Sequence, residues 1–367
     1  MPDELGDRFR SLDDLEPPDV YEEARRRPPR IGSEPRRTDP RRIGVIVLAA
    51  IVALAGIGFL FRAIGGPAPT PMSSIASSAS AAPPIRPEPL IAFAFQPEDH
   101  PGLAIGVMTP GSDAFRQLTG LPADRSADPW IARYTFASDD SPTFSPDGTS
   151  IAFVRRYTEG INSLCMIDVD GSNFRVVLRD AQAAELSWSP DGMTIAFYSE
   201  QDGGIHLIDA DGTHERPLAE RTRGPNQDSP SWSPDGSRVY YASGDIWVAD
   251  VEGGAPSRVA DVPRNVSWVA LCPEGSPIAF AESEPDGNTS AIWLVDQGGS
   301  DVTRVTAPGS GNWTSVSWTP AGNRLLVQDA DGTAAFIEPD GGGFQPLTLP
   351  EGLRLAGPVA WWSPVLP

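Results

Sequence analysis

Phe144-Ser145-Pro146-Asp147-Gly148 is followed by Trp188-Ser189-Pro190-Asp191-Gly192 and by Trp232-Ser233-Pro234-Asp235-Gly236, with the prolines 44 residues apart. Proline sets φ for the first corner of a tight turn, aspartate accepts hydrogen bonds from the backbone just beyond it, and glycine takes positive φ freely. Weaker copies continue at Cys272-Pro273-Glu274-Gly275, Thr319-Pro320-Ala321-Gly322 and Ser363-Pro364, so that six copies run at proline spacings of 39 to 47. A repeat of that period is the signature of an architecture in which each unit buries its apolar faces against its neighbours.

Each turn follows an aromatic residue (Phe144, Trp188, Trp232, Trp318, Trp362), with Trp268 standing earlier in the Cys272-Pro273 copy, and precedes a short apolar run such as Ile151 to Val154, Ile195 to Tyr198, Val239 to Ala242, Ile278 to Ala281 and Leu325 to Gln328. Third strands are expected at Leu164 to Asp168, Ile205 to Asp209, Ile246 to Asp250 and Ile292 to Asp296, and fourth strands at Phe174 to Leu178, Arg216 to Leu218, Ser257 to Ala260 and Thr303 to Val305. Four strands per period make a propeller blade. Residues 90 to 118 hold only the later strands of a blade, and Pro358 to Ser363 holds a lone first strand. Joining the two completes a sixth blade and closes the ring.

These turns and strands resemble the TolB-like, WD-repeat-like family of propellers, whose unit couples an aromatic-Ser-Pro-Asp-Gly turn to an Ile-Ala-Phe-type strand. The resemblance covers residues 90 to 367 and implies an all-β, six-bladed propeller of four-stranded blades. It departs from the family's namesake in lacking a separate α/β domain ahead of the ring and in carrying an expected membrane anchor, so it implies the repeat class rather than the namesake's transport role.

Ahead of the repeats, Ile43 to Phe61 runs nineteen residues without a charge, flanked by Arg41, Arg42 and Arg62. At 1.5 Å per residue this spans a hydrocarbon core of about 30 Å, and residues 43–62 are read as a transmembrane helix. Residues 24 to 42 carry eight arginines against Glu34 and Asp39, which places residues 1–42 in the cytoplasm as a largely disordered tail and the rest outside. The Pro/Ser/Ala-rich residues 63–89 read as a spacer. The chain therefore divides into tail, helix, linker and a propeller at 90–367.

The net charge of -21 is concentrated after the apolar segment, which excludes nucleic acid as a partner of the main domain. Cys165 and Cys272 are expected to be unpaired, and no cofactor or metal is expected. The Asp-x-Asp-Gly runs at Asp168 to Gly171 and Asp209 to Gly212 begin like calcium loops, but they lack the downstream glutamate and recur as hairpin turns. Of the three histidines, His206 aligns with Cys165, Trp247 and Trp293 and reads as packing between blades; His100 and His214 fall in turns without evident carboxylate partners. No nucleophile elbow, zinc-peptidase motif or phosphate loop is present, so a non-enzymatic role is expected.

First strands open onto one mouth of a propeller's channel. Their starts supply the candidate binding residues Asp139, Asp140, Asp228, Arg264, Asn265, Trp313 and Thr314, pictured as a polar funnel with an exposed tryptophan. The aromatic-rich insertion Leu121 to Ser138 is a second candidate surface. The function expected is a binding or scaffold propeller for an envelope protein, peptide or glycan. The alternative is a transmembrane sensor whose tail folds on a cytoplasmic partner; the arrangement looks like membrane propellers that accompany a sigma factor. A propeller hydrolase or lyase ranks third.

Overall fold

The computed structural model describes residues 88–98, 102–112, 114–120, 133–220, 229–259, 265–284, 289–307 and 309–364. The tail, the expected transmembrane helix and the linker through residue 87 lie outside them, as do His100, most of the 121–138 insertion, Asp228 and Arg264. Among the described residues no helix is long and apolar enough to cross a membrane.

The described residues form six four-stranded antiparallel sheets. The innermost strands are Ala360–Trp362 in blade 1, Phe136–Phe144 in blade 2, Ala183–Trp188 in blade 3, Ser231–Trp232 in blade 4, Val266–Leu271 in blade 5 and Trp313–Trp318 in blade 6. The expected closure is present. Leu90, Ile91 and Ala92 pair with Trp362, Trp361 and Ala360, so blade 1 is assembled from both ends of the domain.

The three Ser-Pro-Asp-Gly turns are held the same way. In blade 2 the Gly148 N–H donates to Ser145 O at 2.8 Å, the Ser145 hydroxyl donates to Asp147 Oδ1 at 2.6 Å, and the same oxygen accepts the Thr149 N–H at 3.0 Å. Blades 3 and 4 repeat the hydroxyl–carboxylate bond at 2.6 Å through Asp191 and Asp235. These bonds favour the ionised acid: they lower Asp147 and Asp191 below the usual carboxylate range and Asp235 to about 2, the hydroxyl of the turn's serine being the largest cause in each. Gly148 has φ 70°, and a Cβ there would overlap the Trp362 indole of the neighbouring blade. Two constraints therefore demand glycine at that position.

Side-chain alternation along each strand sends one set of apolar residues to each neighbouring blade. Phe93, Ile91 and Phe95 pack toward blade 6 with Leu326 and Phe336, while Ala92, Ala94 and Val107 pack toward blade 2 with Ile151 and Phe153. Indole N–H groups tie adjacent inner strands together. Trp232 donates to Ser187 O at 3.1 Å, Trp268 to Val316 O at 2.8 Å, Trp318 to Ala270 O at 3.0 Å and Trp362 to Pro146 O at 3.0 Å. Trp188 is equally buried, but its N–H has no acceptor.

Replacing Trp232 by alanine is expected to cost about 3–5 kcal/mol, from lost apolar burial and the void left between blades. Trp188→Ala should cost about 1 kcal/mol less, because no interblade hydrogen bond is lost with it. Denaturant unfolding of both variants measures the difference.

Candidate functional site

The six inner strands surround a channel divided into two chambers of about 540 Å³ and 640 Å³. The smaller opens on the face carrying the repeat turns. Its wall alternates serine with aromatics, and Pro146, Pro190, Pro234, Pro273 and Pro320 ring its mouth. The larger opens on the face where inner strands begin and is lined by Ser267, Ser290, Asn312, Gln328 and Asp329 among others. Glu185, Trp268 and Pro358 line both chambers and form the waist between them.

Glu185 is the residue that places charge in the turn-side chamber. Among the described residues lining the turn-side chamber it is the only Asp, Glu, His or Arg. It protrudes because the pairing of Ala183–Trp188 with its neighbour slips between Ala184 and Leu186, leaving Glu185 as the extra residue of a β-bulge with φ 47°. A non-glycine residue in that region is strained, and strain of this kind is kept where surrounding structure imposes it. Burial is the largest cause that pushes its carboxyl up, to about 8; the Asp140 charge adds to the shift and Arg156 opposes it.

The residues expected at the mouth divide three ways. Asp139 does not face solvent: it is fully buried, with Oδ1 and Oδ2 each 2.8 Å from Arg155 Nε and Nη2. The Arg155 guanidinium lies in turn over the rings of Phe136, Phe153 and Phe174, at 5.1, 5.7 and 4.7 Å. This is a desolvated ion pair inside the blade, and it removes Asp139 from the funnel. Asp140 is partly exposed, its Oδ2 2.7 Å from Arg156 Nε, and Arg156 also reaches Glu200 at 3.2 Å. Burial raises the Asp140 carboxyl and Arg156 partly offsets it.

Trp313 is not the exposed tryptophan expected. Only 5% of it is accessible; it packs in the cluster between blades 5 and 6, its N–H donates to Ser310 Oγ at 3.2 Å, and Phe344 meets it edge-on at 6.3 Å. Asn265 is exposed with φ 72°, and its backbone N–H donates to Gly244 O of blade 4 at 2.8 Å. Thr314 lines the larger chamber. Asp228 and Arg264 lie outside the described residues.

The histidines also differ from the sequence reading. His206 packs against Phe197 at 5.5 Å as expected of a space-filling residue, but it also bridges Asp202 and Glu215, at 2.9 and 3.0 Å. His214 does have a carboxylate partner, Asp209 at 2.8 Å. Cys165 and Cys272 are both buried, and neither is in a disulfide. The carboxylates of the Asp-x-Asp-Gly turns bond their own loops: Asp168 accepts from Ser150 and Asn173, and Asp211 from Thr213.

Comparison with solved structures returns chains of similar fold. TolB from Acinetobacter baumannii superposes with a TM-score of 0.60 at 19% identity, covering 74% of this chain and 66% of that one, just under two thirds of its length. The fold is that of the TolB propeller. A putative TolB from Agrobacterium tumefaciens matches with a TM-score of 0.51 at 19% identity, over 75% of this chain and 98% of that one. A chain of the nidogen/laminin complex matches with a TM-score of 0.56 at 12% identity, over 74% and 98%. No family model and no curated protein matches the sequence.

Two expectations follow. Asp139→Ala leaves Arg155 buried without its counter-ion and should destabilise the domain by about 3–5 kcal/mol in denaturant unfolding. The raised carboxyl of Glu185 holds a proton in the folded state that the unfolded chain has released. Its contribution is complete below the unfolded value of 4.5 and is lost as pH rises through about 8. The melting temperature should therefore fall between about pH 5 and pH 9, and Glu185→Gln should flatten that fall; an unchanged slope would show that Glu185 is not the group responsible.

Proposed function

We propose that the propeller is a non-enzymatic binding module that seats a segment of a partner protein or peptide in the turn-side mouth of its channel. In this reading the chain is held in the cell membrane by residues 43–62, with the propeller outside the cytoplasm.

The carrying observation is the turn-side chamber itself. It joins a proline-ringed rim, a serine- and tryptophan-rich wall and one deep carboxylate in a concavity of about 540 Å³. Aromatic walls with scattered hydroxyls suit peptide recognition, since they give large contact area at low entropic cost. A lone carboxylate selects charge and orientation better than it performs acid–base chemistry, which needs a second positioned group. Fold analogy supports the reading: one matched structure is by its title a complex of two proteins, nidogen and laminin. The envelope setting rests on the apolar run and the arginine asymmetry of the sequence. Signalling through the tail remains the second reading on the same sequence grounds.

The test is a photo-crosslinking amino acid placed in the full chain at Ser187 or Pro190 in the mouth, and at exposed Thr213 on the outer edge of blade 3, in intact cells. A protein trapped from the mouth positions and not from Thr213 is expected. Trapping from Thr213 alone would overturn the assignment of the channel, and a cytoplasmic partner lost on removing residues 1–40 would favour the sensor.

A further inference from the structure

Beside the channel's turn-side mouth, with which it shares Pro320, Trp361 and Ser363, a cavity of about 370 Å³ lies in the seam where blade 6 meets blade 1. Pro110, Pro320, Pro346 and Leu347 supply apolar walls, and Arg324, Phe336 and Trp361 line it as well. Phe336 and Trp361 meet edge to face at 4.9 Å. Arg324 is the only ionisable residue in the lining.

Among the described residues no carboxylate lies within ion-pair distance of Arg324. Its guanidinium lies over the Phe336 ring at 4.9 Å, and its Nη1 and Nη2 reach only neutral oxygens, Gln345 Oε1 at 3.2 Å and Gly343 O at 3.3 Å. Its Nε is buried without an acceptor, and so is the Trp361 indole nitrogen. The matching position of blade 4 shows what is missing: Arg238 Nε sits 3.2 Å from Asp250 there. In blade 6 the equivalent acid, Glu338, lies against the Gly342–Gly343 turn instead. The repeat-turn aspartate of blades 2 to 4 is also absent, replaced by Ala321, and Asn323 Oδ1 accepts the Thr319 hydroxyl at 3.0 Å in its place. A chain with a net charge of -21 thus holds a concave site whose one formal charge is positive.

From this juxtaposition we propose that the seam cavity is a binding site for a carboxylate carried on an apolar body. The carboxylate would replace the two long, neutral contacts of the guanidinium fork with charge-assisted ones, the pairing for which that fork is shaped. The apolar body would lie among the prolines, Leu347 and the two rings. A volume of about 370 Å³ is at the small end of ligand pockets, enough for a small aromatic or aliphatic acid or for the last one or two side chains of a peptide with a free C-terminus.

The experiment is isothermal titration of the full chain with 4-phenylbutyrate and with its uncharged counterpart 4-phenylbutanol, alongside an N-acetylated Leu-Phe dipeptide bearing either a free or an amidated C-terminus. At least a ten-fold preference for the charged member of one pair is expected. A preference in the phenylbutyrate pair identifies a free acid as sufficient, whereas a preference confined to the dipeptide identifies a chain terminus. Arg324→Gln should abolish that preference. Ala321→Asp, which restores the acid of the other turns while leaving Arg324 on its ring, should weaken carboxylate binding and spare the alcohol. Equal affinity for the charged and uncharged members of both pairs, no binding of any probe, or a preference that survives Arg324→Gln overturns the proposal. Because Arg324 does not line the turn-side chamber, crosslinking at Ser187 and Pro190 tests the channel independently.

Discussion

A blade cannot stand alone. Each four-stranded sheet has apolar side chains on both faces, and a face left open to water has nothing to offset the entropy of ordering it. The ring therefore depends on the short antiparallel pairing of Leu90, Ile91 and Ala92 with Trp362, Trp361 and Ala360. Those three residues supply blade 1 with its innermost strand, and their consecutive indoles point to opposite neighbours, Trp361 toward blade 6 and Trp362 toward blade 2. One three-residue strand completes two blade interfaces at once. The glycine of the first repeat turn lies directly beneath the second of those indoles, which links local turn chemistry to closure.

The architecture was legible because its punctuation is local. Proline, aspartate and glycine at a fixed period announce the hairpins, and the aromatic before each turn announces the packed end of the strand. Side-chain facing was less legible. Counted back from the Phe144–Ile151 pair, an unbroken ladder would set Asp140 opposite Arg155 and leave Asp139 free for solvent. The irregularity between Asp140 and Thr143 shifts the register by one, so Asp139 meets Arg155 instead. A one-residue slip exchanges inside for outside. Pro142, which cannot donate to a ladder, was the available sign that the strand is interrupted there.

Glu185 was overlooked for the same reason. Strand alternation alone gives no ground for an acid of the Ala183–Trp188 strand to occupy the channel; the bulge puts it there. Its signal lay in the repeat itself, since four residues ahead of the turn's first residue blades 2, 4 and 6 carry Ser141, Ser229 and Ser315, and blades 1 and 5 carry Val359 and Trp268. A lone acid in a column otherwise uncharged marks the position at which one blade stops being interchangeable with the rest. The seam cavity follows the same logic: Ala321 and Arg324 depart from the repeat where blade 6 meets the composite blade. Function in a repeat fold is sought where the copies disagree.

The entry point of the chain into the ring gives the closure a mechanical meaning. The chain reaches its first strand at Leu90, which is itself paired with Trp362 in the closing strand. Tension arriving along the preceding segment would bear on that pair before any other contact of the closing strand. A ring closed in this manner concentrates load at a three-residue clasp.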